Sequence, residues 1–325
     1  MAVMWLAMRL GVLDVGSNTV HLLVVDARRG GYPWPVHATK TRLGLAERLG
    51  PRGELDDAAV DALVASVAAA RDSANRWDVA EVVGVATSAV RDAPNAQAVV
   101  ERVAAETGVR LEVLPGPEEA RLTFLAARRW FGWSAGRLLA LDLGGGSLEI
   151  AVGFGEEPEA AFSLPLGAGR MARRLREEDA DPDAEAVPSQ RAVERMREHV
   201  AAALDPVVPR VREVGWHTVS ASSRTFRTLA RLAGAPSKRA GPWVRRTLTR
   251  AGLAQVIGFI RHIAPARLAQ LDGVAAGQAG QVLAGALVVE GVMRELGLEA
   301  VEICPWALRE GVILRRIDQL CQQPG

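Results

Sequence analysis

Two short runs of glycine and hydroxyl residues, each led by an aspartate, are the parts of the sequence best suited to chemistry on phosphates. The first run comprises Asp14, Gly16, Ser17, Asn18 and Thr19, and the second comprises Asp142, Gly144, Gly145, Gly146, Ser147 and Glu149. A turn of this composition exposes several backbone N–H groups in one direction, and such a nest binds phosphate oxygens. The carboxylates can hold Mg²⁺, or Mn²⁺ in its place, beside the phosphates, with Asp14, Asp142 and Glu149 as candidate ligands.

The two runs lie in longer segments, residues 10–25 and 138–152, that read alike. In each, an apolar strand leads to the aspartate, a glycine-rich turn follows, and a second apolar strand returns. Placed over each other, Asp14 meets Asp142 and Thr19 meets Ser147. The pattern predicts a β-hairpin twice. A single such turn is more often an ordinary tight hairpin, but the matched pair favours two similar domains that grip phosphate together.

Strands and helices alternate after each hairpin, which predicts an α/β fold with mixed sheets flanked by helices. Strands are expected over 81–86 and 110–114, and helices over 55–76, 95–107, 118–130, 189–214, 224–233, 248–262, 276–296 and 306–320. The acidic, Pro-containing run 177–185 is expected to be a solvated loop. The predicted domains are 1–131, with the first hairpin, and 132–325, with the second hairpin and a basic helical part. An alternative for the last predicted helix is that it packs back on the first domain.

Composition sets broad limits on the class of protein. A chain of 325 residues with 49% hydrophobic and 24% charged residues is typical of two globular domains, and a net charge of +1 favours no particular partner. Cys304 and Cys321 have no metal or redox spacing, which fits a reduced compartment. Residues 1–8 lack the basic region and cleavage site of a signal peptide, and no stretch approaches the ~18 apolar residues of a membrane span. We therefore expect a cytoplasmic protein that does not associate with a membrane.

Two adjacent glutamates, Glu118 and Glu119, open the predicted helix 118–130. Taken alone, they are best explained as acids that complement the helix dipole. A glutamate could also orient a water molecule and accept its proton during attack on a phosphate. Neighbouring residues of a helix point about 100° apart, so the two side chains cannot share one role.

Arginines supply the candidate cations of the site. Arg91 follows a predicted strand and a Thr-Ser turn, where a guanidinium suits a phosphate, although a surface salt bridge is the alternative. Arg42 and Arg170 are weaker candidates of the same kind. Between Glu213 and Asp272 the chain has no acid but many arginines and lysines.

That acid-free stretch predicts a surface of one sign that would capture polyanions. The alternatives are a nucleic-acid surface, or charges scattered around several helices. Few aromatic residues, such as Phe226 and Trp243, interleave the cluster, and binders of single strands usually need stacking platforms. The pattern therefore favours polyphosphate or a nucleotide polyphosphate over nucleic acid.

The motifs resemble those of a known superfamily. Asp14-x-Gly16-Ser17-Asn18-Thr19 and Asp142-x-Gly144-Gly145-Gly146-Ser147-x-Glu149 resemble the two phosphate loops of the actin, sugar kinase and heat-shock chaperone superfamily. Their specific form is similar to the exopolyphosphatase and guanosine pentaphosphate phosphohydrolase family, and further matches at 86–91, 116–122 and 308–311 extend the resemblance over nearly the whole chain. The chain looks most like the short, two-domain actinobacterial members, since no histidine is followed by aspartate as in an HD-type domain.

The resemblance implies two actin-like (ribonuclease H-like) domains and Mg²⁺-dependent hydrolysis of the terminal phosphate of polyphosphate in the cleft between them. It makes Glu119 the catalytic residue, places Arg91 near the phosphates and suggests a homodimer. Guanosine pentaphosphate is the alternative substrate. Two further alternatives are an ATP-dependent kinase of the same superfamily and a non-catalytic sensor of polyphosphate or alarmone.

The sequence departs from the family pattern at two places. Within 221–225, Arg224 replaces a glycine. A turn that needs positive φ would resist this change, so the local backbone is expected to differ, and Arg224 becomes a candidate substrate contact. At 277–278, Gly-Gln stands where related sequences tend to have Asp-Arg, which puts affinity or chain-length preference in doubt.

Overall fold

The structure of the protein is a computed structural model that describes residues 8–28, 31–45, 48–50, 52–178 and 187–322. The chain forms two compact units. The first contains the described residues up to Ala126 together with those from Leu308 onward, and the second is Ala127–Ala307. Residues 1–7 and the part of the predicted acidic loop from 179 to 185 lie outside the described residues.

Each unit is built on one mixed sheet. The strands are β1 (Met8–Val15), β2 (Thr19–Ala27), β3 (Trp34–Arg42), β4 (Glu81–Ala86), β5 (Leu111–Val113), β6 (Leu138–Leu143), β7 (Leu148–Gly153), β8 (Ala160–Leu164), β9 (Thr218–Ser222), β10 (Thr247–Thr249) and β11 (Ala300–Ile303). The first unit has the order β3-β2-β1-β4-β5, and the second has β8-β7-β6-β9-β11-β10. In both, three antiparallel strands are followed by a strand parallel to the first, so the internal duplication extends beyond the hairpins.

Helices cover the sheets. They are α1 (Asp57–Arg76), α2 (Ser88–Arg91), α3 (Ala96–Thr107), α4 (Gly116–Phe131), α5 (Ala168–Glu177), α6 (Gln190–Leu204), α7 (Val208–Val214), α8 (Ser223–Leu232), α9 (Arg250–Ile260), α10 (Pro265–Leu268), α11 (Val282–Leu296) and α12 (Leu308–Gln322). Short 3-10 helices span Trp133–Ala135, Lys238–Ala240 and Ala276–Gln281. The predicted α/β class with two mixed sheets is confirmed. In the described part of the chain, no helix is both long and apolar enough to cross a membrane.

Alternation along the strands explains why the first sheet is covered on both faces. Leu13 and Val15 of β1 pack in the core under α1 and α3, whereas Leu10 and Val12 pack in a second core with α12. Successive side chains of a strand point to opposite faces, so a strand with apolar residues on both faces needs a layer on each side. The last helix of the chain supplies one of those layers.

The two predicted hairpins are confirmed, and they share one register. Asp14 pairs with His21 across the first hairpin, and Asp142 pairs with Glu149 across the second. The turns are closed by equivalent hydrogen bonds, from Gly16 N to Thr19 O (3.0 Å) and from Gly144 N to Ser147 O (2.9 Å). Each aspartate therefore stands two residues before its turn, on the last part of a central strand.

Several predicted elements need correction. The helix expected over 189–214 is two helices, α6 and α7, because Pro206 and Pro209 lack the N–H that a continuous helix would use. The helix expected over 276–296 starts as the 3-10 helix Ala276–Gln281. The sequence analysis missed the short strands β9 and β11, which pair in parallel with each other and extend the second sheet.

A buried arginine organises the start of the second unit. Arg128 is 1% exposed and donates to four glycine carbonyls at 2.8–3.2 Å, those of Gly132, Gly136, Gly153 and Gly155. Its guanidinium also lies 5.7 Å from the centre of the Trp133 ring. Burial lowers the pKa of Arg128 from its ordinary value. The carbonyls provide the partners that make this buried cation tolerable.

We expect Arg128→Leu to lower the free energy of unfolding by about 3 kcal/mol, because several buried carbonyls lose their donor at once. The neighbouring Arg129→Leu is the control, since the Arg129–Glu156 pair (2.8 Å) is partly exposed and should cost less than about 1 kcal/mol. Urea unfolding followed by fluorescence measures both. Equal losses in the two variants would contradict the role given to Arg128.

Candidate active site

Hydrogen bonds within the first unit hold the first turn in place. The carbonyl of Asn18 accepts hydrogen bonds from Leu43 N (3.0 Å) and Gly44 N (3.1 Å) at the end of β3. The carbonyl of Val15 accepts one from Thr87 N (3.0 Å), just after β4. These bonds engage carbonyl oxygens around the turn, and the backbone N–H groups after Gly16, whose own N–H closes the turn, are the donors that suit an anion.

Asp14 precedes this turn and pairs with an arginine from the far end of the chain. Arg309 Nη1 lies 3.2 Å from Asp14 Oδ2, and both side chains are largely buried. Burial raises the pKa of Asp14, and the Arg309 guanidinium acts in the opposite direction. The Asp14 carboxylate is therefore already paired with a cation, and a metal ion bound there would share the carboxylate with Arg309.

The second turn is held by the first residues of α5. Ala168 N donates to Gly144 O (2.9 Å), Gly169 N and Arg170 N donate to Gly145 O (2.9 and 3.0 Å), and Arg170 Nε donates to Gly146 O (3.0 Å). Three successive carbonyls of the turn are thus bound by α5. Gly144 N closes the turn, and the backbone N–H groups that follow it in the turn are the donors that a phosphate would meet.

The contact between α5 and the second turn requires a glycine at position 167. A Cβ on Gly167 would lie 2.2 Å from Gly146 C and 2.3 Å from Ser147 N, so any side chain would displace the second turn. Gly167 has φ −57°, which any residue adopts. The requirement for glycine is therefore one of space and not of backbone conformation.

The second hairpin carries two acids side by side. Asp142 Oδ2 accepts a hydrogen bond from Ser222 Oγ (2.8 Å), and Glu149 Oε1 accepts one from Ser163 Oγ (2.9 Å). Within the described residues, no group of three or more His, Cys, Asp or Glu side chains could hold a metal ion. Mg²⁺ is commonly held by one or two carboxylates with water and substrate phosphates. The pair Asp142 and Glu149 fits that mode, with hydrogen bonds that orient the oxygens.

Glu119 and Arg91, which lie on different elements, meet in the structure. Arg91 Nη1 donates to Glu119 Oε2 (3.0 Å) and to Leu114 O (3.2 Å), and the two charged side chains are 19% and 13% exposed. Glu118 has different partners: it pairs with Arg315 (2.5 Å) and with Arg121 (3.5 Å). The adjacent glutamates therefore occupy separate environments, and Glu119 is the one beside a candidate phosphate-binding arginine.

The backbone at Arg224 does not have the positive φ that favours glycine. The positive φ lies at Ser223 (+89°) and not at Arg224, which belongs to the first turn of α8. Ser223 follows directly after Ser222, the residue that binds Asp142. A non-glycine residue in this region of φ is strained, and such strain concentrates near functional sites.

Acids from outside the acid-free stretch neutralise part of it. Arg231 pairs with Asp272 (2.5 Å), Arg245 with Glu302 (2.7 Å) and Arg250 with Glu299 (2.5 Å). Arg246 instead donates to backbone carbonyls, at 2.7–3.0 Å. These four arginines serve local structure, so the surface of this stretch is less uniformly positive than its sequence indicates.

Comparison with known proteins is consistent with this geometry. Residues 23–320 match the model of the Ppx/GppA phosphatase family. The chain belongs to this family. It is 53% identical over 312 residues to Exopolyphosphatase 1 of Mycobacterium bovis, covering 96% of this chain and 89% of the relative. It is 51% identical to Exopolyphosphatase 1 of Mycobacterium leprae, covering 96% of this chain and 90% of that one.

Solved structures of the family share the fold. An exopolyphosphatase from Cytophaga hutchinsonii superposes with a TM-score of 0.85 at 23% identity, over 96% of this chain and 98% of that chain. The Aquifex aeolicus member of the Ppx/GppA family gives a TM-score of 0.80 at 23% identity, over 97% and 99% of the two chains. The actin-like architecture expected from the two phosphate loops is therefore confirmed in this Ppx/GppA chain.

Three residues of the site escaped the sequence analysis. Gly167 belongs to no motif recognised in the sequence, and Ser222 lies within the segment 221–225 but was given no role there, since each acts by touching the second hairpin from a distant segment. Arg309 lies within the matched motif 308–311, but nothing in the sequence connects it with Asp14. Ser222 can be connected with Asp142 only once the sheet order places β9 beside β6.

We expect Gly167→Ala to weaken the binding of polyphosphate about ten- to a hundredfold, because the displaced turn loses charge-assisted hydrogen bonds to phosphate. The matched control is Gly258→Ala in α9, where a Cβ meets nothing within 4 Å. Equilibrium binding of polyphosphate, measured beside the Michaelis constant, distinguishes the two. Parent-like affinity in a folded Gly167→Ala protein would show that α5 does not set the turn.

Proposed function

We propose that this Ppx/GppA chain is an exopolyphosphatase, which hydrolyses the terminal phosphoanhydride bond of inorganic polyphosphate. Its 53% identity over 312 residues to a mycobacterial exopolyphosphatase carries the proposal. The two matched hairpins supply independent support, because nests of backbone N–H groups recognise the phosphates that such a substrate consists of. A site formed jointly by the two hairpins remains a prediction.

In this proposal, both hairpins bind phosphate groups of the substrate. The turn at 144–147 binds phosphate oxygens through N–H groups whose orientation α5 fixes, and the turn at 16–18 does the same from the first unit. We propose that Asp142 and Glu149 hold Mg²⁺, with Asp14 as a further ligand on the first hairpin. The ion, when bound, neutralises phosphate oxygens and so favours attack by water.

Glu119 acts as the base in this proposal. Its carboxylate orients a water molecule in line with the terminal phosphorus and accepts a proton as the new P–O bond forms. The bond from phosphorus to the bridging oxygen breaks, which releases orthophosphate and a chain shorter by one phosphate. Arg91 pairs with the Glu119 carboxylate, and its guanidinium also suits a phosphate oxygen.

Guanosine pentaphosphate is the second candidate substrate. A guanosine-5'-triphosphate,3'-diphosphate pyrophosphatase from Photobacterium profundum is 23% identical to this chain, over 95% of this chain and 59% of that protein. We further propose a cytoplasmic location and a homodimer. Arg224 remains a candidate contact to either substrate, from the first turn of α8.

We expect purified protein with Mg²⁺ to release phosphate from polyphosphate without any acceptor, and to stop when the metal is chelated. Phosphate release should be compared for short polyphosphate, long polyphosphate, guanosine pentaphosphate and ATP. Faster turnover of guanosine pentaphosphate would reverse the order of the two substrates. ATP consumption that needs a small acceptor would indicate a kinase, and binding without turnover would indicate a sensor.

We expect Glu119→Gln to lower kcat by about 10²–10⁴-fold, because the amide cannot accept the proton of the attacking water. Polyphosphate binding should persist, since both turns are untouched. Glu101→Gln on the exposed face of α3 is the control for loss of a charge in the same unit and should leave activity unchanged. Full activity of Glu119→Gln would remove this residue from the mechanism.

A further inference from the structure

The last helix, α12, contacts both parts of the first unit that the proposed reaction uses. Arg309 near its start pairs with Asp14 of the first hairpin. Two residues later, Gly311 meets the helix that carries Glu119, and one turn further on Arg315 pairs with Glu118 of the same helix. One helix therefore reaches both the first phosphate turn and the candidate base.

The contact at Gly311 is unusually close. A Cβ at this position would lie 2.0 Å from Leu122 O and 2.6 Å from Leu122 C, so α12 lies directly on the backbone of α4. Leu122 stands about one helical turn after Glu119, on the same rigid segment. Only glycine allows two helix backbones to approach this closely, and the spacing of α12 and α4 is therefore set at this point.

Two ion pairs fix the direction of α12 relative to the elements around it. Arg315 Nη1 lies 2.5 Å from Glu118 Oε1, and Arg316 Nε lies 2.9 Å from Glu81 Oε2 at the start of β4. Strand β4 leads into α2, which carries Arg91. The helix is thus anchored to the elements that present both Glu119 and its arginine partner.

Arg309 shows a sign of functional constraint. Its Nη1 pairs with Asp14, whereas its Nε is buried and has no hydrogen-bond partner among the described residues. A buried donor without an acceptor is costly, and each case in a native protein calls for an explanation. A role in holding Asp14 beside the first turn explains why a guanidinium stays in this position.

We propose that α12 is a positioning element, which sets the distance between Glu119 and the first phosphate turn through Gly311, Arg315 and Arg309. The inference rests on the proposed function for the reaction that is measured. In-line attack requires the base and the bound phosphate to be placed within a fraction of an ångström. β1 and α4 are separate in sequence, and α12 contacts both, so it fixes this relation.

Gly311→Ala tests the close contact. Alanine is the better helix former, so a loss cannot come from the helix itself and must come from the clash with Leu122. We expect kcat to fall about 10- to 100-fold while the Michaelis constant changes by less than about threefold. The control is Val67→Ala, a fully buried position on α1. Val67 belongs to a different core from the one that contains α12, so this variant should lower the melting temperature without changing the contact between α12 and α4.

A double-mutant cycle tests the ion pair. If Arg315 acts through Glu118, then Arg315→Gln, Glu118→Gln and the double variant should lose the same fraction of kcat. Arg315→Lys should restore part of it, because the charge remains. Losses that multiply in the double variant would mean that the two residues act separately, and would overturn this part of the inference.

Hydrogen exchange provides a readout that does not depend on activity. The amides of α4 from Glu118 to Leu122 should lose protection at least about tenfold in Gly311→Ala and keep it in Val67→Ala. Unchanged kcat and unchanged protection in Gly311→Ala would overturn the role of α12. A parent protein that releases no phosphate from polyphosphate would instead refute the proposed function, while the exchange experiment still decides the placement of α4.

Discussion

Backbone hydrogen bonds that occupy the carbonyls of the two glycine-rich turns are the constraint on which the rest of the site depends. A carbonyl oxygen directed at a phosphate would repel it, so hydrogen bonds that hold the carbonyls of a turn elsewhere leave its N–H groups to form an anion-binding nest. In the second turn, α5 binds three successive carbonyls, and Gly167 lets it approach closely enough to do so. In the first turn, the end of β3 binds the carbonyl of Asn18.

The duplicated hairpins have diverged in their acids although their backbones still match. Asp14 lies opposite a histidine in the register and pairs with Arg309, whereas Asp142 lies opposite Glu149 and accepts a hydrogen bond from a serine hydroxyl. An aspartate with an arginine has much of its charge neutralised already. We propose that the hairpin with two acids and hydroxyl donors provides the main ligands of the divalent cation, whereas Asp14 of the other hairpin is already paired with Arg309.

Pairing of charges also separates residues that the sequence places together. Glu118 and Glu119 are adjacent, but the first binds Arg315 of the last helix and the second binds Arg91 of the short helix α2. A carboxylate that is largely buried needs a cation or hydrogen-bond donors. The choice of cation determines which glutamate lies beside the candidate phosphate-binding arginine and which one joins two helices.

The sequence alone predicts the two hairpins, their correspondence with each other and the α/β class, because apolar strands and glycine turns are local signals. It also distinguished Glu119 through the family motif. Which charges meet depends on the three-dimensional fold, since Arg309 approaches Asp14 from the opposite end of the chain and Glu302 neutralises Arg245 from a neighbouring strand. Such pairings depend on the sheet order and on how closely helices approach one another, and no local pattern encodes either.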